Sequence, residues 1–181
     1  MAKTQVVDVV SGDAHLTGQL CEGQLQGLLR IDEHNRPLAN LSYSEGQLQG
    51  MSQTYHPNGR VSAQLPYVAD KLHGVATYYS AEGQLQRKAG YRKGLLHGEA
   101  SIHYPDGQMA EREQYRDGVK DGLYERFHNN GAIALKARYF NGLLLDLGQQ
   151  FAQDGRPLDS KGKPISRLRW WWMNTASPAE G

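Results

Sequence analysis

This chain is poor in the features that usually announce a function. Cys21 is its single cysteine among 181 residues. No intramolecular disulfide can form, and a reducing compartment fits; Cys21 itself reads as a small buried hydrophobe. Charge of one sign is also lacking: 20 Lys and Arg oppose 19 Asp and Glu, a net charge of +1. That balance argues against nucleic acid as a partner. No apolar run approaches the ~20 residues of a membrane span. The N-terminal "MAKTQVVDVVSGD" interrupts Val6, Val7, Val9 and Val10 with Asp8, so it is not read as a secretory leader. "TGQLC" at 17–21 places Leu20 where a lipobox needs a small residue. There is no nucleophile motif, no glycine-rich phosphate loop opening a helix, and no cysteine pair for zinc. The expectation is a cytoplasmic protein, not an enzyme, with no cofactor, no metal and no catalytic residues.

What the chain has is period. Tyr43, Tyr67, Tyr91, Tyr115 and Tyr139 stand 24 residues apart, and so do Gly59, Gly83, Gly107, Gly131 and Gly155. A third column holds Gly50, Gly74, Gly98 and Gly122, and a fourth Gly46, Gly94, Gly118 and Gly142. A fixed period of roughly 20–50 residues marks a repeat architecture. Each unit carries two turn signals. One is "HPNG" at 56–59, "YPDG" at 104–107 and "HNNG" at 128–131. There Pro or Asn suits the central positions and Gly the left-handed one. The other is "RKG", "RDG" and "FNG" at 92–94, 116–118 and 140–142. Its final Gly suits the positive φ of a bulged hairpin, and Gly118→Val should therefore destabilise. Between the turns Val61, Ala63, Leu65 and Tyr67 alternate with Arg60, Ser62, Gln64 and Pro66, the pattern of a half-buried strand.

One unit is therefore one β-hairpin. The fold class is all-β: an elongated single-sheet antiparallel hairpin solenoid of 24-residue repeats. Residues 1–21 read as an edge strand and half repeat, 22–159 as an array of about six hairpins, and 160–181 as a basic, Trp-rich cap with a flexible tail. The array ends where Asp146 replaces the expected Gly and Lys163 the expected Tyr. Equivalent residues of successive hairpins lie roughly 9.6 Å apart. The tyrosines thus cannot stack on themselves. Tyr55, Tyr79, His103, Phe127 and Phe151 form a second column, expected to interleave with them as one aromatic ladder.

Segment 92–118, with Lys93-Gly94, His97-Gly98, "YPDG" and then an aromatic before "RDG", resembles a MORN repeat. The 24-residue spacing and the elements Leu48-Gln49-Gly50, Leu72-His73-Gly74 and Leu96-His97-Gly98 are most similar to the MORN-repeat variant of bacterial YwqK-like antitoxin proteins. The resemblance covers about 22–159. It implies a non-enzymatic protein-binding module of antitoxin or immunity type whose partner is a toxin or effector. A membrane-peripheral scaffold that binds anionic lipid is the alternative it leaves open.

His73 and His97 share a column but sit too far apart to share a metal ion easily. Glu111 and Glu113 would face one way on an open sheet, without the pocket that acid–base catalysis needs. The mixed charges of 99–126 read as a solvated face or a charge-patterned contact surface. The candidate partner-binding residues are Trp170, Trp171 and Trp172 with Arg167 and Arg169, since Trp and Arg are common at hot spots. Residues 164–172 are expected either to add a final strand, which would put at least one Trp on each face, or to cover the last hairpin, burying at least one of the three. Whether the triplet is a cap or a contact site stays open, as does the oligomeric state.

Overall fold

The computed structural model describes residues 3–146 and 148–175. The expected flexible tail beyond 175 lies outside them. Seventeen strand segments form one open antiparallel sheet. Each long strand pairs with its neighbours in sequence, so the chain is a meander from Thr4 to Gln150.

The two turn types do different work. In the "YPDG" turn the Gly107 N–H donates to the Tyr104 carbonyl at 2.9 Å, and Tyr104 N–H to Gln108 O at 2.8 Å. Gly107 has φ +88°, a conformation in which a Cβ is strained. The hairpin bulge belongs to this end, where the pairing slips between Ile102 and His103. At the "RKG" end the loop glycine was expected to sit in a bulge and does not; the irregularity of that hairpin lies deeper, between Ala89 and Tyr91. Arg92 pairs directly with Leu95 across a two-residue loop, in which both Lys93 (φ +53°) and Gly94 (φ +86°) are left-handed. Such loops follow the right-handed twist of the strands they join. They also stack: the Gly94, Gly118 and Gly142 N–H groups reach Leu72 O, Leu96 O and Lys120 O of the preceding unit at 2.7–2.8 Å.

A second irregularity recurs beside the "LxG" element. Ala89 faces Ala100, but Tyr91 faces Leu96, so three residues oppose Gly90. Gly98 absorbs this at φ +80°. The column of repeat tyrosines lands opposite these glycines: Tyr43 on Gly27, Tyr67 on Gly50, Tyr91 on Gly74, Tyr115 on Gly98 and Tyr139 on Gly122. An aromatic ring across from glycine covers backbone that has no side chain of its own.

The expected interleaved aromatic ladder does not form. Tyr55 pairs with Val61, at the far end of strand Val61–Val68 from Tyr67. The separation is about 20 Å at ~3.3 Å per residue. Parity also puts the two columns on opposite faces, because Tyr67 shares the face of Ala63 and Leu65, whereas the Tyr55 hydroxyl donates to its face-mate Gln53 at 3.1 Å.

A single-layer sheet has no second layer to bury large residues. Apart from Leu29, its buried apolar residues among those described are accordingly all alanines, Ala63, Ala76, Ala89, Ala100 and Ala137 among them, with Ala76 and Ala89 wholly inaccessible. Ala76, Ala89 and Ala100 are direct cross-strand neighbours under the tyrosine face.

The last residues do not form the final strand that was one of the two expected arrangements. Arg167–Thr175 is an α-helix, not a final strand. Two facts explain it. The sheet edge there is the two-residue strand Gln149–Gln150, too short to template a nine-residue partner. Pro164 meanwhile closes the last isolated bridge, with Leu158, and Ser166 then opens a helix. Its hydroxyl accepts the Arg169 N–H at 3.3 Å, and its carbonyl accepts the Trp170 N–H at 3.0 Å. Arg and Leu are good helix formers, Trp a fair one.

Candidate interaction surface

Following the pairing register strand by strand gives one continuous row: Asp8, Thr17, Arg30, Asn40, Gln53, Gln64, Thr77, Lys88, Ser101, Arg112, Glu125, Lys136 and Gln149. Every member is polar or charged. Directly opposed residues share a face, so one side of the sheet carries a polar ladder across its whole width.

The ladder is wired from within. Asn40 Nδ2 donates to the Tyr55 hydroxyl at 2.7 Å, and the Tyr79 hydroxyl to Gln64 Oε1 at 3.2 Å. Two members of the second aromatic column, Tyr55 and Tyr79, therefore serve as struts for the polar row. Glu125 is the anomaly, a buried carboxylate with only 4% of its side chain exposed. Arg112 Nε donates to its Oε2 at 2.9 Å, Arg112 Nη2 makes a closer contact to the same oxygen, and Lys136 Nζ stands 3.7 Å from Oε1. The hydrogen bond that Arg112 donates to Glu125, together with the carboxylate's charge, raises the Arg112 pKa against the cost of burial. Burial, helped by the nearby Lys88 charge, lowers that of His103.

The opposite face is lined by tyrosine. Tyr115 donates to Glu113 Oε2 at 2.5 Å, Lys120 Nζ reaches Glu113 Oε1 at 2.6 Å, and the same ammonium lies 5.1 and 5.3 Å from the Tyr124 and Tyr139 ring centres. Tyr124 and Tyr139 meet edge to face at 6.1 Å. Burial pushes the Tyr115 phenol up to about 12, with the Glu113 hydrogen bond and charge acting in the same direction. Tyr78 is also pushed up to about 12, by burial and then by Tyr91.

The candidate residues fall as follows. Trp170 is half-buried, its Cζ2 4.0 Å from where a Cβ on Gly155 would stand. Arg167, Trp170 and Trp171 line one open hollow with Asp154 and Arg156. Arg156 ties that corner together, bonding Asp154 Oδ2 through Nε at 2.8 Å and Ile165 O through Nη1 at 2.9 Å. Trp171 and Trp172 are 61% and 68% exposed, and Arg167 and Arg169 project to solvent. Gly59, Gly83, Gly107, Gly131 and Gly155 each donate to the carbonyl three residues back at 2.8–2.9 Å. His97 Nδ1 lies 3.4 Å from the Asp117 N–H. Glu113 is committed to Tyr115 and Lys120, and Glu111 pairs across to Arg126. Among the described residues no three His, Cys, Asp or Glu side chains gather as a metal site, and no helix is long and apolar enough to cross a membrane.

The polar ladder itself was missed from sequence, although its signal was present. Asn40, Gln64, Lys88, Arg112 and Lys136 form one 24-spaced column, and Gln53, Thr77, Ser101, Glu125 and Gln149 another. Only the hairpin register shows that the two columns alternate along one line.

The geometry defines a class: an open, single-sheet hairpin-repeat protein with a polar face and a tyrosine face. Residues 72–93 and 96–117 match the model of the MORN repeat variant family. MORN repeats are modules that bind protein or lipid, not an enzyme family. No curated protein matches the chain.

Proposed function

We propose that this chain is a non-enzymatic protein-binding module of the antitoxin or immunity type, which covers a toxic protein or effector and blocks it by steric occlusion. The observation that carries this reading is the continuous polar ladder. A continuous, prewired row of charged, amide and hydroxyl groups suits recognition of a broad macromolecular surface, where complementary charge gives specificity and association rate. Lys88, Arg112 and Lys136 outnumber Glu125 in the second half of the row, so the matching surface on the partner is acidic. An open sheet offers no enclosed pocket of the kind that small substrates fill. The single cysteine is compatible with an encounter in a reducing compartment such as the cytoplasm. The test is a pull-down from native lysate followed by co-expression. Retention of a protein that is toxic alone and harmless beside this chain supports the proposal; a retained partner that is harmless alone sinks it.

A second reading rests on the C-terminal helix. Leu168, Trp171 and Trp172 are exposed beside Arg167 and Arg169, a composition that also suits the surface of an anionic membrane. Co-sedimentation with phosphatidylserine vesicles, with and without residues 160–181, separates the two.

A further inference from the structure

The two ends of the sheet are treated differently. At the C-terminal end the last strand is two residues long, turns containing Pro157 and Pro164 follow, and the helix lies beyond. These are the usual ways of blunting an edge. The N-terminal edge has none of them. Thr4–Ser11 is eight residues long, pairs without a bulge to Ala14–Cys21, and contains no proline. Val6 and Val10 are 72% and 70% exposed. Its single charge, Asp8, is held by His15 Nε2 at 2.7 Å. Among the described residues nothing pairs with its outer side.

The pairing pattern identifies which backbone groups are free. Lys3 O accepts the Glu22 N–H at 3.0 Å, so residues 5, 7, 9 and 11 turn their N–H and C=O inward by the alternation of an antiparallel ladder. Thr4, Val6, Asp8 and Val10 turn theirs outward. We propose that this edge joins two copies of the chain, strand Thr4–Ser11 of one pairing antiparallel with the same strand of the other about a two-fold axis at Val7.

That register is selected by the sequence. With Val7 on the axis, Thr4 meets Val10 and Val6 meets Asp8, in both directions. All four outward residues find outward partners, giving about eight new backbone hydrogen bonds. Shifting the axis to Asp8 sets the two carboxylates directly opposite one another, which is destabilising, and sends Thr4 onto the turn residue Gly12. Shifting it to Val9 sends both Thr4 and Val6 past the end of the partner strand. Two-fold pairing also closes on itself, so the joined sheets leave no bare valine edge to recruit further copies.

Sedimentation velocity on the full chain across a wide concentration range reads the outcome. The wild type is expected to be a dimer. Val6→Pro removes an outward N–H that the monomer does not use, so it should melt like the wild type at dilutions where that is monomeric, and raise the dimer dissociation constant at least roughly tenfold. In a Cys21→Ser background, Val7→Cys should cross-link under mild oxidation, because residues on the axis form a non-hydrogen-bonded pair with Cα atoms about 4.5 Å apart. Val9→Cys, facing the partner's Gln5, should not. A wild type that stays monomeric at every concentration overturns the proposal. So does a dimer that survives Val6→Pro, or cross-linking through Val9→Cys in place of Val7→Cys. Should Val6→Pro fail to fold, the cysteine pair decides alone.

Discussion

Glu125 gives the sharpest test of how the polar ladder is held, because the two ends of its ion pair are buried to different extents. The carboxylate is 4% exposed and the Arg112 side chain 38% exposed. Arg112→Met leaves a carboxylate inside the sheet with only Lys136, 3.7 Å away, as a cationic neighbour. Stripping the partner from a buried charge costs about 3–5 kcal/mol. Lys136 offsets part of this, so the lower figure applies, about 3 kcal/mol. Glu125→Met leaves a guanidinium that can turn outward into water, and it fills the buried site with an apolar side chain of similar size. Replacement of a buried ion by a packed apolar group is often close to neutral, so about 1 kcal/mol is expected. At about 2–4 °C per kcal/mol for a chain of this size, Arg112→Met should lower the melting temperature by about 6–12 °C and Glu125→Met by about 2–4 °C. Removing the more exposed partner should therefore do more damage. Thermal unfolding followed by circular dichroism reads both. If Glu125→Met proves the more damaging, the carboxylate contributes net stability and the desolvation argument is wrong.

Four further expectations follow from particular contacts. Gly90→Ala would place a Cβ 2.3 Å from His97 O, so the backbone must shift; a loss of about 1–3 kcal/mol is expected, and an unchanged melting temperature would contradict the close approach. Gly118→Val forces a β-branched residue to φ +89°, at a cost of about 1–2 kcal/mol or more, readable in the same assay. Tyr78 and Tyr115 are raised from 10.0 to about 12 in the fold; raised phenol pKa values give stability that is complete below pH 10 and lost as pH rises through 12, so an alkaline melt series should fall in that window, and phenylalanine at both positions should flatten it. Trp170→Ala should lower stability, since that ring packs on the Gly155 turn, whereas Trp172→Ala should leave melting unchanged and weaken only partner or vesicle binding; the reverse pattern would refute the assignment of cap and contact.

The hairpins were legible because turn glycines and strand alternation are local signals, and 24-residue recurrence multiplies them. The register was not legible, and it decides what the columns mean. Tyr67 and Tyr55 appear in sequence as two aromatic columns to be interleaved, yet pairing puts them at opposite ends and on opposite faces. Lys88 and Thr77 look like ordinary solvated positions until pairing sets them in one line. The expected bulge at Lys93-Gly94 failed for a related reason: glycine at positive φ suits both a bulge and a tight two-residue loop, and only the partner strand tells them apart. The C-terminal segment misled because Trp favours strands in general, while Ser166 as a cap and a two-residue edge strand beside it favour a helix. Of the candidate contact residues, sequence composition pointed to the Trp and Arg cluster, whereas the ladder required the fold.

The claim on which everything else rests is that the chain is one open sheet of hairpins, with both faces available to a partner. Small-angle scattering on the protein, at dilutions where a single monomeric species is present, tests it most directly. The thirteen successive strand positions from Thr4–Ser11 to Gln149–Gln150 span about 58 Å at ~4.8 Å per step. The account predicts a maximum dimension beyond about 60 Å and a radius of gyration clearly above the ~16 Å of a compact domain of this length. A radius near 16 Å with a symmetric pair-distance distribution would mean that the sheet folds back on itself, and the two-faced surface described above would not exist.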